Sequence, residues 1–242
     1  MELDVDVGNS RLKWRLRDGQ DVVARGGAGH DAPACFPESL PWPQIAQVNV
    51  GCVAKPAVLE RIGAEVRRSG ASRLYVAKTA ARFEVMTNAY EDPSRLGVDR
   101  WLAMVAAYRL VRGAFCVVDC GTAITVDFVA ADGRHLGGYI VPGFELQRQA
   151  LHLGTHAVKV PPGRLPALTP GSSTADCVLH GVYALLCHGL EGILREQLGQ
   201  GGFQVVFTGG DASRLRDEIK LPSMLEPDLV LDGLRILAEA ER

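Results

Sequence analysis

Two quartets in this sequence have the composition to do chemistry: Val5-Asp6-Val7-Gly8 and Val118-Asp119-Cys120-Gly121. An acidic residue at a strand end, such as Asp6, suits a hydrated Mg²⁺ ion, which prefers carboxylate and water oxygens. Gly8 lets the backbone turn tightly, so that exposed N–H groups can approach a phosphate. Asn9 and Ser10 add neutral donors, and Lys13 adds a positive charge. D-x-G-N is also ordinary hairpin-turn chemistry, so this segment alone does not choose between turn and phosphate site. The second copy shifts the balance toward phosphate, because Thr122 supplies a hydroxyl where the first copy has Asn9. A third Gly-rich turn, Thr208-Gly209-Gly210-Asp211-Ala212, has room for an adenosine or its phosphates.

A different chemistry is written in Glu91-Asp92-Pro93-Ser94-Arg95-Leu96-Gly97-Val98-Asp99-Arg100-Trp101, a loop running into a helical pattern. Phosphoryl transfer to an alcohol needs a carboxylate that orients the hydroxyl and accepts its proton, and Asp99 could serve. Arg100 beside it could stabilise phosphoryl charge or pair with a substrate carboxylate. The alternative is that Asp99 caps the helix and Arg100 is a surface charge. Pattern alone leaves the two open.

The elements that must position these residues repeat. Each quartet is followed by an alternating strand, Leu12–Leu16 or Ile124–Phe128, and then by a D-G hairpin turn, Asp18-Gly19 or Asp132-Gly133. The quartets lie 113 residues apart and the D-G turns 114 apart, which points to a duplicated unit. In the first half, Gln47–Cys52 reads as a strand and Pro56–Ser69 as a helix with Pro in its first turn. In the second, Phe203–Phe207 reads as a strand entering the Gly-rich turn. Helical patterns cover Trp101–Val111, Thr174–Leu198 and Gly233–Ala240, and Pro161, Pro162, Pro166 and Pro170 mark an irregular loop. Strands followed by helices imply α/β layers. The expected architecture is two similar α/β domains facing a central cleft, residues 1–112 and 113–242, with the two hairpins clamping a phosphate chain between them.

Composition narrows the function classes. Lys+Arg 26 against Asp+Glu 28 leaves a net charge of −2, which offers no field for nucleic acid or an anionic membrane. The basic cluster Arg67-Arg68, with Arg73 nearby, reads as a solvated helix end. The apolar run Phe115–Ala131 is interrupted by Asp119 and Asp127, and no stretch approaches the roughly 20 uncharged residues of a membrane span. The start, MELDVDVG, is acidic where a signal peptide is basic. Six cysteines are too sparse for a disulfide framework, so a cytoplasmic location is expected. Cys177, His180, Cys187 and His188 could be drawn as a zinc site, but they fall in one helical pattern, whereas tetrahedral ligation usually draws on separated elements. His152 and His156 share a helical spacing and are read as structural; Trp14, Trp42 and Trp101 are read as packing residues. P-loop, protein-kinase and G-x-S-x-G signatures are absent.

The ordered set DVGNSRLKW, DPSRLGVDRW, VVDCGTAITVDF, GGYIVPG, the T-A-x3-L-x-G pattern at Thr174–Gly181, and FTGGDA resembles the type III pantothenate kinase family. That family, also called the Bvg accessory factor family, belongs to the acetate and sugar kinase/Hsc70/actin superfamily. The resemblance implies two RNase H-like domains and the transfer of phosphate from ATP to pantothenate, giving 4′-phosphopantothenate, the first step of coenzyme A synthesis. It implies that Asp6, Val7, Gly8, Asn9, Ser10, Arg11, Leu12 and Lys13 form the first phosphate segment and that Thr122 meets ATP. It implies Asp99 as general base, with Tyr90, Gly97, Val98, Asp99, Arg100 and Thr174 around pantothenate. Tyr90 could instead simply pack, and Thr174 could be only a helix N-cap. Asp119 matches the ligand of a monovalent cation, K⁺ or NH₄⁺, required in addition to Mg²⁺. The family is homodimeric, with its active site beside the subunit interface. Ser10 stands where many relatives have Thr, which keeps the hydroxyl. A non-catalytic accessory protein that keeps the kinase fold is the competing class; the presence of Asp6, Asp99 and Asp119 together argues against it. A conformational ATPase of the actin or Hsp70 type would need further subdomains, for which 242 residues leave little room.

Overall fold

The computed structural model describes residues 1–71, 73–154, 160, 164–198 and 202–242, and the described chain forms two compact units. His156, Pro161 and Pro162 lie outside the described residues. The first unit holds residues 1–112, 132–135 and 228–242, and the second holds 113–131 and 136–227. Chain order assigns residues 228–242 to the second half, but they pack with the first.

The first unit is built from β1 (Glu2–Val7), β2 (Arg11–Asp18), β3 (Asp21–Gly29), β4 (Gln47–Cys52), α1 (Pro56–Ser69) and β5 (Arg73–Val76). The two-residue strands β6 (Arg82–Phe83) and β7 (Met86–Thr87) and helix α2 (Val98–Leu110) follow. The second half of the chain supplies β8 (Phe115–Cys120), β9 (Ala123–Val129), β10 (His135–Pro142), α3 (Phe144–Gly154) and α4 (Thr174–Leu198). It closes with β11 (Gln204–Thr208), α5 (Ala212–Glu218), β12 (Ser223–Leu225) and α6 (Leu229–Ala240). The sheets have the orders β3-β2-β1-β4-β5 and β10-β9-β8-β11-β12, the same path run twice. In each, the first two strands of the half are antiparallel and the last two, β4 and β5 or β11 and β12, join in parallel. The doubled motifs thus become a doubled topology.

The alternation in β2 fills one face of the first sheet with Leu12, Trp14 and Leu16, which join Leu3, Val5, Val48 and Val50 in a core closed by Ile62 and Val66 of α1. The polar face of β2 is buried as well: Arg15 and Arg17 are each only 3% exposed. Arg15 Nε donates to Asp4 at 3.0 Å and its Nη1 to Asp232 of α6 at 2.7 Å, while Arg17 Nε donates to Asp4 at 2.6 Å. Buried carboxylates and guanidiniums persist only when paired in this way. The sheet is therefore covered on both faces, and its second cover includes α6.

Helix α2 is apolar almost all round, with Val98 and residues 100–107 buried. It is gripped between strand and helix. Gly51 of β4 leaves no room for a Cβ against Leu102, and Gly233 of α6 lies directly on the Leu102 backbone. Such close backbone approach is what glycine permits. The result is a rigid base beneath the start of α2. In the second unit, Val182, Leu186, Leu190 and Leu194 of α4 pack on the sheet with Phe207 and Leu215. Against the expectation that no stretch approaches a membrane span, one helix among the described residues (residues 174–197) is long and apolar enough to cross a membrane by length and composition. That property comes from its core-facing stripe together with an exposed apolar side.

Candidate active site

In the first unit, β1 and β2 close a hairpin through the Gly8 N–H, which donates to the Arg11 carbonyl at 3.1 Å. The glycine N–H expected at a phosphate is thus spent on the turn, and the exposed tip is Asn9-Ser10-Arg11. Asp6 sits between Lys13 of β2 and Gly51 of β4 in the sheet register. Val7 and Leu12 are fully buried, so they can meet a ligand only through backbone. Burial, with a smaller push from the Asp6 carboxylate, raises the Cys52 thiol above its ordinary range.

The start of α2 stands next to this turn. Val53 N–H donates to the Val7 carbonyl at 3.0 Å, and the position of a Cβ on Gly97 would lie 3.8 Å from the Val53 side chain. Gly97 is the N-cap, and it has no Cβ because Asp99 Oδ1 would lie 2.5 Å from one. The Asp99 carboxylate accepts the Arg100 N–H at 2.8 Å. Arg100 is no surface charge: it is 6% exposed, and its Nη1 donates to the Tyr90 hydroxyl at 2.9 Å. The guanidinium carbon also lies 5.8 Å from the Tyr90 ring centre. Of the residues expected around pantothenate, Tyr90, Gly97, Val98, Asp99 and Arg100 are gathered here, with Val98 turned into the core. Sequence reasoning missed His135, whose ring stacks on Tyr90 at 6.4 Å and 13°.

In the second unit, Asp119, the penultimate residue of β8, stands opposite Thr208 of β11. Gly209, with φ +94°, passes so close that a Cβ would lie 2.5 Å from Asp119 Oδ1 and 2.6 Å from the Cys120 carbonyl. The Asp211 N–H donates to that carbonyl at 3.0 Å. Gly143, at the end of the GGYIVPG segment, donates its N–H to the Thr122 carbonyl at 2.9 Å and would have no space for a side chain against Gly121 and Thr122. The Gly209 turn therefore lies against Asp119 and the Gly143 turn against the Gly121-Thr122 turn that follows it, next to one carboxylate and the carbonyl oxygens of Cys120, Gly121 and Thr122. This all-oxygen set suits a hard cation, and the missing Cβ atoms form the cradle a phosphate or cation needs. Among the described residues no three His, Cys, Asp or Glu side chains gather as a metal cluster, Cys177, His180, Cys187 and His188 included.

Thr174 opens α4, but the capping is done by its neighbour. The Ser173 hydroxyl accepts the Asp176 N–H at 3.2 Å and donates to the Asp176 carboxylate at 2.6 Å. That hydroxyl, with the guanidinium of Arg164, holds Asp176 below the usual carboxylate range. Thr174 is left to line a cavity of about 800 Å³ between α3 and α4, with Leu146, Leu151, Leu153, Cys177 and Leu185. His152, one of the pair read as structural, lies in the last turn of α3.

Residues 2–196 match the family model described as type III pantothenate kinase. A curated type III pantothenate kinase from Hahella chejuensis is 41% identical over 239 residues, covering 99% of this chain and 98% of the relative. The structure resembles that of a Baf family protein from Campylobacter jejuni, with a TM-score of 0.60 at 19% identity and 99% and 98% of the two chains covered. A Porphyromonas gingivalis protein described as an N-acetylglucosamine kinase shares the fold at a TM-score of 0.52 and 12% identity, over the whole of both chains. A sugar-kinase-type fold run twice, a carboxylate at the head of a buried helix and a sequence matched along nearly its whole length lead to one assignment: the chain belongs to the type III pantothenate kinase family.

Proposed function

We propose that this chain phosphorylates the hydroxyl of pantothenate with ATP and that Asp99 is the general base. One observation carries the assignment of the base: Asp99 sits at the head of a helix held rigid on two sides, joined through Arg100 to Tyr90. A carboxylate accepting a backbone N–H in the first helical turn has a fixed direction, and direction matters more than base strength in a loose phosphoryl transition state. The hydroxyl oxygen forms its bond to the γ-phosphorus as the bond to the ADP oxygen breaks, and its proton passes to Asp99. Arg100 and Tyr90 hold the acidic end of pantothenate, Arg100 by charge and Tyr90 by its ring and hydroxyl.

Asn9, Ser10 and Lys13 of the first hairpin suit contacts to ATP phosphates, and Thr122 of the second suits a contact to ATP. Asp6 suits a hydrated Mg²⁺. Asp119, with the carbonyls gathered around it, suits K⁺ or NH₄⁺, and a cation bound there would offset phosphate charge. A second copy of this chain covers the apolar face of α3 and α4, which exposes Leu146, Leu151, Leu153 and Leu185. Thr174, which lines that face, suits a hydrogen bond to pantothenate. Light scattering on the full chain should give a dimer mass, and a monomer mass would refute this part. The enzyme works in the cytoplasm.

The test is direct. Purified protein with ATP, Mg²⁺ and K⁺ should add the mass of one phosphate to pantothenate, and omission of ATP should abolish the gain. No gain under any cation condition would overturn the reading.

A further inference from the structure

The turn after β9 leaves its own sheet's unit. Residues 132–135 pack in the first unit, against the loop that carries Tyr90. Gly133, with φ +88°, lies where a Cβ would be 3.0 Å from the Val85 carbonyl, and its own carbonyl accepts the Thr87 N–H at 3.1 Å. Arg134 pairs with Thr87 as an isolated bridge. These contacts deliver His135, 4% exposed, to the base of the loop. Its Nδ1 accepts the Ala89 N–H at 3.4 Å, and its ring stacks on Tyr90. Tyr90 is fixed from its other side, where its N–H donates to Asn88 Oδ1 at 2.9 Å and its hydroxyl accepts from Arg100.

We propose that His135 is a positioning residue for pantothenate recognition, setting the plane of the Tyr90 ring and, through the Tyr90 hydroxyl, the direction of the Arg100 guanidinium. The proposal rests on the reading of Tyr90 and Arg100 as substrate contacts. The physical argument has two parts. An offset aromatic pair restricts the ring plane of a loop tyrosine, and an acceptor on the backbone N–H one residue earlier fixes where that ring begins. A buried guanidinium is costly to leave underpaired, so displacing the Tyr90 hydroxyl, which accepts from Nη1, disturbs the direction of Arg100. The imidazole does both jobs because it offers a flat ring and an acceptor nitrogen in one side chain. It touches neither reacting atom.

Steady-state kinetics on the full chain, with pantothenate and ATP varied separately, tests this. His135→Ala should raise the pantothenate KM about tenfold while the ATP KM stays within about twofold. His135→Phe keeps the ring and His135→Asn keeps an acceptor, and each should recover part of the loss. In a Tyr90→Ala background the further cost of His135→Phe should fall below about twofold, since the two residues act in series. Pantothenate KM unchanged in all three His135 variants, with Tyr90→Ala still impaired, overturns the proposal and leaves the substrate reading intact. Tyr90→Ala and Arg100→Ala without effect overturn the substrate reading itself. Equal losses for both substrates together with a lowered Tm would make His135 merely structural, which also refutes the proposal.

Discussion

The two hairpins share a topology but are built differently at their tips. In sheet register Asp6 stands opposite Gly51 and Asp119 opposite Thr208, so Cys52-Val53 and Gly209-Gly210 occupy corresponding places after the neighbouring strand. The Val7 carbonyl accepts from Val53 N–H, and the corresponding Cys120 carbonyl accepts from Asp211 N–H. Beyond that point the copies diverge. After the first, Cys52 and Val53 carry side chains and the chain runs on through Lys55 to α1. After the second, Gly209 lies against Asp119, Gly143 lies against Gly121 and Thr122, and α5 begins at Ala212. The lesson is a division of labour within a duplicated scaffold: the first unit offers side-chain chemistry, Asp99 above all, and the second a backbone cradle of oxygens.

That contrast can be broken by substitution. The largest effect should come from the side-chain unit: Asp99→Asn should lower kcat by about 10²–10⁴ with Tm and ATP binding retained, measured by coupled assay and calorimetry. Unchanged turnover would remove the general base. Next, Gly209→Ala places a Cβ on the Asp119 carboxylate at a left-handed φ and should cost at least about a hundredfold in kcat, while Cys52→Ala at the corresponding place should cost less than about threefold. Equal tolerance would show that the second cradle is not closed. A finer separation uses the cation. Asp119→Asn should raise the K⁺ concentration for half-maximal activity about tenfold, whereas Asp6→Asn should leave that concentration in place and weaken ATP and Mg²⁺ use. The smallest effect concerns thiols. Burial raises both Cys52 and Cys120, Cys120 far more, and a raised pKa means less thiolate at a given pH. Alkylation at pH about 7.5 should therefore mark exposed Cys177 first, with Cys52 appearing as pH rises toward about 9 and Cys120 staying unlabelled. Early labelling of Cys120, read by peptide mass, would mean that the second cradle opens.

The local elements were legible because short-range rules govern them. Helices Pro56–Ser69 and Thr174–Leu198 and strand Gln47–Cys52 have the bounds that their patterns predict. The D-G turns place Gly19 and Gly133 at positive φ, the conformation that glycine accepts without strain. Where the expectation was short, tertiary contact decided. Helix α2 starts at Val98 rather than Trp101, because Gly97 caps it and Arg100 is buried rather than solvated. Helix α6 starts a turn earlier than its apolar pattern, at Leu229. The alternation in β2 does not reveal that Arg15 and Arg17 are buried beneath a second cover.

By itself the sequence determined the doubled order of strands, the acid-glycine turns and the carboxylate at the head of α2, because spacing and turn chemistry act within a few residues. Only the tertiary structure decided that the C-terminal helix seals the first unit, that the Gly209 and Gly143 turns pack against Asp119 and the Gly121-Thr122 turn after it, and that His135 stacks on Tyr90. An apolar stripe or a lone histidine states that a surface is to be buried. Which surface meets it depends on chain segments far away in sequence, so the pairing is settled when the chain packs.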